Sequence, residues 1–342
     1  MLFRSLAGHV LGYVNAENLG VAGMEKAIDR ELGLADLREL GFAGDRGLKP
    51  KRLSLDIRVQ HVLRDEMSTA QQRFHAVAAV GIVLDVHTLE VLGMVSLPDY
   101  DPNHPAEAVK ADQSTQNRAT GGVFEMGSVF KTFNSALALD SGKIQLSDTF
   151  DVTPLQFGSQ RIGEFHSKGH PLSVPEIFLY SSNNGSARMA LKVGSAAQNA
   201  FFNKMGLLKR IDTELPEVAL PLHPRTLSDV STATMSFGHG ISVSPMHTAV
   251  GGAALVNGGY LINPTFLPRT REEADKLATR VIRPETSDKI RSLFRLNATP
   301  GSGGSSKRVV ANAPVGARRA SKARAETRRA PDMGASMKMR NK

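Results

Sequence analysis

Met126-Gly127-Ser128-Val129-Phe130-Lys131 sets a serine and a lysine three positions apart at the head of an apolar-periodic run. From Ser128 to Leu139 the residues Val129, Phe130, Phe133, Ala136, Leu137 and Leu139 recur mostly at three- and four-residue steps, and Gly142 follows as a stop signal, so the spacing predicts a helix. Residues at i and i+3 share a helix face, which puts the Lys131 amine one turn beyond Ser128 and within reach of its hydroxyl. A neutral lysine placed there can take the serine proton. A Ser-x-x-Lys also turns up by chance on the order of once in a few hundred residues, and a helix-capping serine beside a solvated lysine has the same spacing. The rest of the chain has to decide between the two.

With 342 residues, the chain can bury a sizeable core in one large domain or two smaller ones, and its 41% hydrophobic and 22% charged residues are an ordinary globular balance. No apolar run reaches the ~18 residues of a membrane span. The opening Met1-Leu2-Phe3-Arg4-Ser5-Leu6-Ala7-Gly8-His9 lacks the apolar core and cleavage site of an export signal, and reads as though cut from something longer. The absence of cysteine excludes disulfides, thiolate metal sites and cysteine nucleophiles. A formal charge of +9 suggests an anionic partner until its location is considered: from Ala317 to Lys342 nine Lys or Arg face only Glu326 and Asp332, a net of +7, which leaves +2 for the first 316 residues.

In chain order, Gly23 to Leu34 shows a helical pattern within a glycine-punctuated accessory piece, and a helix is expected from Ile57 to about Arg73. Ala76 to Val86 and Glu90 to Val95 form two β-branched runs around His87-Thr88-Leu89, the pattern of a buried hairpin. Further helices are expected at Ser173 to Leu179, Ser186 to Lys192, Phe201 to Leu208 and Met246 to Val256, with short irregular segments after Gly142. Beyond Gly316 the chain turns to Arg, Ala and Ser, too poor in apolar residues to build a core, and 317–342 reads as a disordered basic tail. With no interleaved aromatic and no known binding fold beside it, that tail does not make a nucleic-acid site, and no nucleic-acid partner is expected.

A second polar cluster, Ser181-Ser182-Asn183, lies between two apolar helical patterns. A hydroxyl and a carboxamide at i and i+2 can face one cleft, although serine and asparagine are also common helix-start residues. Together with Gly23-Met24-Glu25, Ser54-Leu55-Asp56-Ile57-Arg58-Val59-Gln60, Pro98-Asp99-Tyr100-Asp101-Pro102-Asn103 and Phe237-Gly238-His239-Gly240-Ile241-Ser242-Val243, the two clusters give the chain an ordered set of motifs. In these motifs it resembles the class B penicillin-binding proteins of the cell-division type.

The resemblance implies an α+β transpeptidase fold of the serine β-lactamase-like kind, an antiparallel sheet flanked by helices, with its C-terminal strands missing here. It implies a remnant of an N-terminal accessory (pedestal) domain in 1–52, an incomplete transpeptidase domain in 53–316, and the basic tail in 317–342. Ser128 would attack the carbonyl of a D-Ala-D-Ala stem peptide or a β-lactam, and Lys131 would be its base. Ser181 would pass the proton to the leaving D-Ala, Asn183 would position the donor peptide, and the Ser128 N–H would supply half of an oxyanion hole. Cell-division proteins would be partners, and the family sits in the cytoplasmic membrane facing the periplasm. No cofactor or metal is implied. His166 and His170, flanked by Gly169 and Pro171, read as solvated loop residues, His239 as a turn residue, and Lys168 and Lys204 as solvated.

The family also requires a Lys-Thr-Gly, and this chain has none; at the expected place it reads Val315-Gly316-Ala317-Arg318-Arg319-Ala320. The codons GGC AAG ACG GGC A encode Gly-Lys-Thr-Gly, and read one nucleotide later they give Ala-Arg-Arg-Ala, so a frameshift at or just after Gly316 is expected. A sheet cut back to its first hairpin would then expose unpaired edges and an apolar face. The expected function is peptidoglycan cross-linking through an acyl-serine, impaired in this copy. A serine β-lactamase or D,D-carboxypeptidase and an inactive penicillin-binding fragment are the alternatives.

Overall fold

The computed structural model describes residues 4–32, 50–106, 115–164 and 168–304. The Gly316 junction, the tail, His166 and the end of the expected Gly23–Leu34 helix lie outside the described residues.

The accessory piece packs α1 (Gly8–Leu11) against α2 (Gly23–Leu32). Next comes α3, Ile57–Arg73, as its sequence pattern predicts, started by Asp56, whose carboxylate accepts from the Arg58 N–H. It lies on a hairpin of β1 (Ala79–Leu84) and β2 (Val91–Leu97), antiparallel, with Ala79 opposite Leu97 and an irregularity at Val83/Leu84. The join is close: a Cβ at Gly81 would meet the Leu63 side chain at 2.8 Å. Alternation sends Val80, Ile82 and Leu84 to the other face, into a core shared with Met246, Val250 and Ala253. Among the described residues β1 pairs with β2 alone, and the hairpin face expected to be bare is covered by the core around Met246, with α3 on the opposite face.

The second core is built around α4 (Phe130–Asp140), whose Phe130, Phe133, Leu137 and Leu139 are buried. Three short strand pairs in this half, β3 (Thr149–Phe150) with β6 (Leu172–Ser173) and β4 (Leu155–Phe157) with β5 (Gln160–Ile162), together with β7 (Tyr260–Leu261) and β8 (Thr279–Arg280), occupy segments that carry no periodic signal. Helices α5 (Val174–Tyr180), α6 (Asn183–Val193) and α7 (Ser195–Lys204) pack on α4, α8 (Asp229–Met235) packs chiefly on α6, and α9 (Pro245–Val256) packs on α4. Helix α10 (Arg271–Leu277) adds Ala274 to the first core, and α11 (Pro284–Ala298) packs on α4 and buries Ile290 and Leu293 in the second. Two helix starts differ from expectation by three residues or more. Helix α6 begins three residues before Ser186 because Ser182 caps it, accepting from the Gly185 N–H, and α7 begins at Ser195 directly after Gly194 rather than at Phe201. Among the described residues no helix is long and apolar enough to cross a membrane.

Candidate active site

Residues 124–127 are held against the 238–243 loop by backbone. Phe124 and Val243 exchange N–H···O bonds of 3.0 Å each, and the Glu125 carboxylate accepts from the Gly240 N–H at 2.7 Å and meets His239 Nδ1 at 2.9 Å. His239 is thus more than a turn residue, since its ring pairs with Glu125. The chain then makes a 3-10 turn, Gly127–Val129, before α4 proper, so Ser128 sits two residues ahead of the α-helix rather than within it. Its N–H opens that turn, among the helix-start donors that lack intrahelical partners.

Ser128 is exposed while Lys131, one turn on, is only 5% exposed. The Lys131 Nζ lies 3.1 Å from Ser128 Oγ, 2.6 Å from the Ser181 carbonyl and 2.9 Å from Ser181 Oγ. Burial pushes the amine down from 10.5 to about 8, opposed by the charge of Glu164. A neutral amine has two N–H donors and one lone pair. Three oxygen partners suit an ammonium donating three bonds; once the amine is neutral, two donors stay on Ser181 and the lone pair is free to take the Ser128 proton.

Ser181 reaches this place through an unusual backbone. It ends α5 in the left-handed region, φ 58° and ψ 46°, where a side chain is disfavoured, and its N–H and that of Ser182 both return to the Ile177 carbonyl. Two helices therefore meet at a two-residue joint. The sequence-predicted set divides there: Ser128, Lys131 and Ser181 are brought together, whereas the Asn183 amide lies on the first turn of α6 and donates to the Gly163 carbonyl at 3.2 Å. The Lys131 amine thus bonds to Ser181, while the Asn183 amide bonds to Gly163.

A cleft of about 330 Å³ opens from Ser128, Lys131 and Ser181 toward Phe178, Thr248 and Phe294. Phe294 belongs to α11, a helix that sequence reasoning passed over although Pro284 and the spacing of Thr286, Ile290 and Leu293 signal it. Glu164, equally unforeseen, accepts from Ser182 Oγ at 2.5 Å and from the N–H groups of Asn183 and Asn184 at 3.0 and 2.9 Å; a lone glutamate in a polar stretch carries no spacing signal. Lys204 is exposed as expected, while the Lys168 ammonium stands over the Tyr180 ring, 4.1 Å from its centre.

An α+β fold with a serine–lysine pair at the head of its buried central helix defines the class of serine proteins built on a Ser-x-x-Lys. The sequence matches the penicillin binding protein transpeptidase domain over residues 79–318, and the chain belongs to that family. It is 39% identical over 300 residues to the "Probable peptidoglycan D,D-transpeptidase FtsI" of Caulobacter vibrioides, covering 87% of this chain and 49% of that protein. To the "Peptidoglycan D,D-transpeptidase FtsI" of Escherichia coli it is 27% identical over 266 residues, covering 71% and 44%. The chain thus spans about half the length of the curated relatives it matches. Among solved structures it is similar to the TP domain of Burkholderia pseudomallei penicillin-binding protein 3, with TM-score 0.65 and 26% identity over 78% of this chain and 74% of that one. A peptidoglycan glycosyltransferase from Burkholderia ambifaria gives the same TM-score and identity over 75% and 76%.

Proposed function

We propose that this chain carries the acyl-transfer half-site of a septal peptidoglycan D,D-transpeptidase. The supporting observation is the buried Lys131 amine 3.1 Å from Ser128 Oγ and bonded through both oxygens of Ser181. Neutral Lys131 takes the Ser128 proton as Oγ bonds to the carbonyl carbon of the penultimate D-Ala. As the amide C–N bond breaks, that proton passes by way of Ser181 to the departing D-Ala nitrogen. The amine of a second stem peptide then displaces Ser128 and closes the cross-link. Asn183, at the head of α6, orients the donor strand. With a β-lactam the ring nitrogen is the leaving group but stays tethered, so the acyl-serine persists.

The substrate is the D-Ala-D-Ala stem peptide, the partners are cell-division proteins, and the working location is the periplasmic face of the cytoplasmic membrane, each by family resemblance. Lacking Lys-Thr-Gly, this copy has no such cation and hydroxyl to hold the substrate carboxylate, and acylates slowly. The lifetime of the adduct with a labelled penicillin, followed by intact-mass spectrometry, tests the reading. A single adduct that outlasts hours supports it, and rapid release of hydrolysed drug would mark a β-lactamase or carboxypeptidase instead.

A further inference from the structure

Lys131 is held by Ser181, and Ser181 needs holding in turn, because its left-handed backbone is one that a residue with a Cβ leaves unless pinned on both sides. On the α5 side the pin is the Ile177 carbonyl. On the α6 side it is a carboxylate: Glu164 Oε1 accepts from Ser182 Oγ and the Asn184 N–H, and Oε2 from the Asn183 N–H. The preceding carbonyl, Gly163, takes the Asn183 amide, so the segment after β5 clasps the first turn of α6 through backbone and side chain together. Ser182 is buried, and its hydroxyl is fully used, donating to Glu164 while accepting from the Gly185 N–H. Charge-assisted bonds at a helix start, where the N–H groups otherwise lack partners, are among the stronger ones available to a side chain.

We infer that Glu164 is a positioning residue of the serine–lysine site: by gripping the head of α6 it fixes the Ser181–Ser182 joint that holds Lys131 against Ser128. The inference rests on the reading of Lys131 as the proton acceptor. Glu164 also acts by its charge. Lys131 faces Ser128 from its own turn and Ser181 from the joint, with Thr248 of α9 and Asn297 of α11 around the same cleft, and Glu164 is the charged group whose field reaches it. Position and charge make separable marks, the first on how fast Ser128 is acylated once Lys131 is neutral, the second on where Lys131 titrates.

The test compares the full chain with Glu164→Gln and Glu164→Asp. Lys131 is titrated by NMR of 13Cε-labelled lysine, its signal assigned with Lys131→Met. Acylation by a fluorescent penicillin is timed across pH, and thermal melts report the folded fraction of each variant. Glu164→Gln should lower the Lys131 midpoint from about 8, since the ammonium loses its carboxylate neighbour. It should also cut the high-pH plateau rate on the order of tenfold or more. Glu164→Asp should restore the midpoint and part of the plateau. An unchanged plateau in a folded Glu164→Gln, or a midpoint that stays put while Asp behaves no better than Gln, overturns the inference. If the parent chain acylates at no pH, the proposed function fails separately. Glu164 is then judged by titration alone, upheld by a midpoint lowered in Gln and kept in Asp, and overturned by an unmoved one. If Glu164→Gln does not fold, a slower plateau in Glu164→Asp supports the inference, and an unchanged one overturns it.

Discussion

Gly238 crosses Gly127 so closely that a Cβ on Gly238 would lie 2.2 Å from the Gly127 carbonyl oxygen. Both glycines take positive φ, 55° at Gly127 and 83° at Gly238, and between them the loop carrying His239 is pressed onto the turn that carries Ser128. Gly238→Ala therefore meets backbone rather than a side chain that can move aside. It should destabilise the fold by well over about 1 kcal/mol and abolish penicillin labelling. Gly240→Ala is the control. Its φ is also positive, 71°, but its nearest neighbour would be Thr234 Oγ1 at 3.7 Å, so only backbone strain opposes it and labelling should survive. Thermal melts and labelling of both variants decide.

Lys131 sets a pH dependence of known sign. With its midpoint near 8, acylation should rise as pH rises through 8 and level off above it, following the neutral amine. Stability should move the same way. The unfolded chain keeps the lysine proton up to about 10.5 while the native amine has lost it, so between those values the unfolded state binds more protons and stability rises with pH, by up to about 3 kcal/mol. Lys131→Met should flatten that rise relative to the parent, read as the difference in denaturant unfolding free energy across the window.

How much of this was legible beforehand depended on whether a residue's role is local. The run from Ile57 to Arg73 follows from its spacing and capping Asp56, and the hairpin from two continuous apolar, β-branched runs, the mark of strands covered on both faces. Ser128 and Lys131 are also local, three positions apart across the join of a 3-10 turn and its helix. Ser181 was found from a motif, but its left-handed backbone, which turns its carbonyl as well as its hydroxyl toward Lys131, comes from two helices meeting and leaves no trace in the spacing. Glu164 lies 18 residues from Ser182, and Glu125 lies 114 from His239, distances over which pattern carries nothing. The α6 start is hidden in the sequence because the polar Ser182-Asn183-Asn184 has the composition of a loop, and only the Ser182 cap makes it the head of a helix.

Buried His9 gives the accessory piece an acid-sensitive seat. Burial pushes its imidazole down to about 4, with Asp99 pulling up and Arg118 pulling down, and its ring stands edge-on to Tyr100 at 5.0 Å. The unfolded histidine takes a proton near 6.5 and the native one does not. Stability should therefore fall as pH falls from 6.5 toward 4, by up to about 3 kcal/mol. His9→Phe keeps the ring and loses the titration, so its acid limb should be flatter than the parent's in urea unfolding curves.

Gln60, fully buried on α3, ties three segments together. Its amide donates to the Leu6 carbonyl at 2.6 Å and the Met94 carbonyl at 2.8 Å, and its oxygen accepts from the Met94 N–H at 2.8 Å. Gln60→Leu fills the volume but takes the side-chain partner from these backbone groups, each buried group left unpaired costing about 1–3 kcal/mol. A loss of several kcal/mol is expected, with faster proteolysis of the segment before Lys51, measurable by denaturant unfolding and limited digestion.

The central claim, that Ser128 is a nucleophile activated by Lys131, is tested most directly by reacting the folded chain with a fluorescent penicillin above pH 8 and mapping the adduct by mass spectrometry, with Ser128→Ala and Lys131→Met alongside. The expected result is one slowly formed adduct on the peptide containing Ser128, absent from Ser128→Ala and strongly reduced in Lys131→Met. Labelling that persists in Ser128→Ala, or no adduct from a parent chain that melts cooperatively, would contradict it.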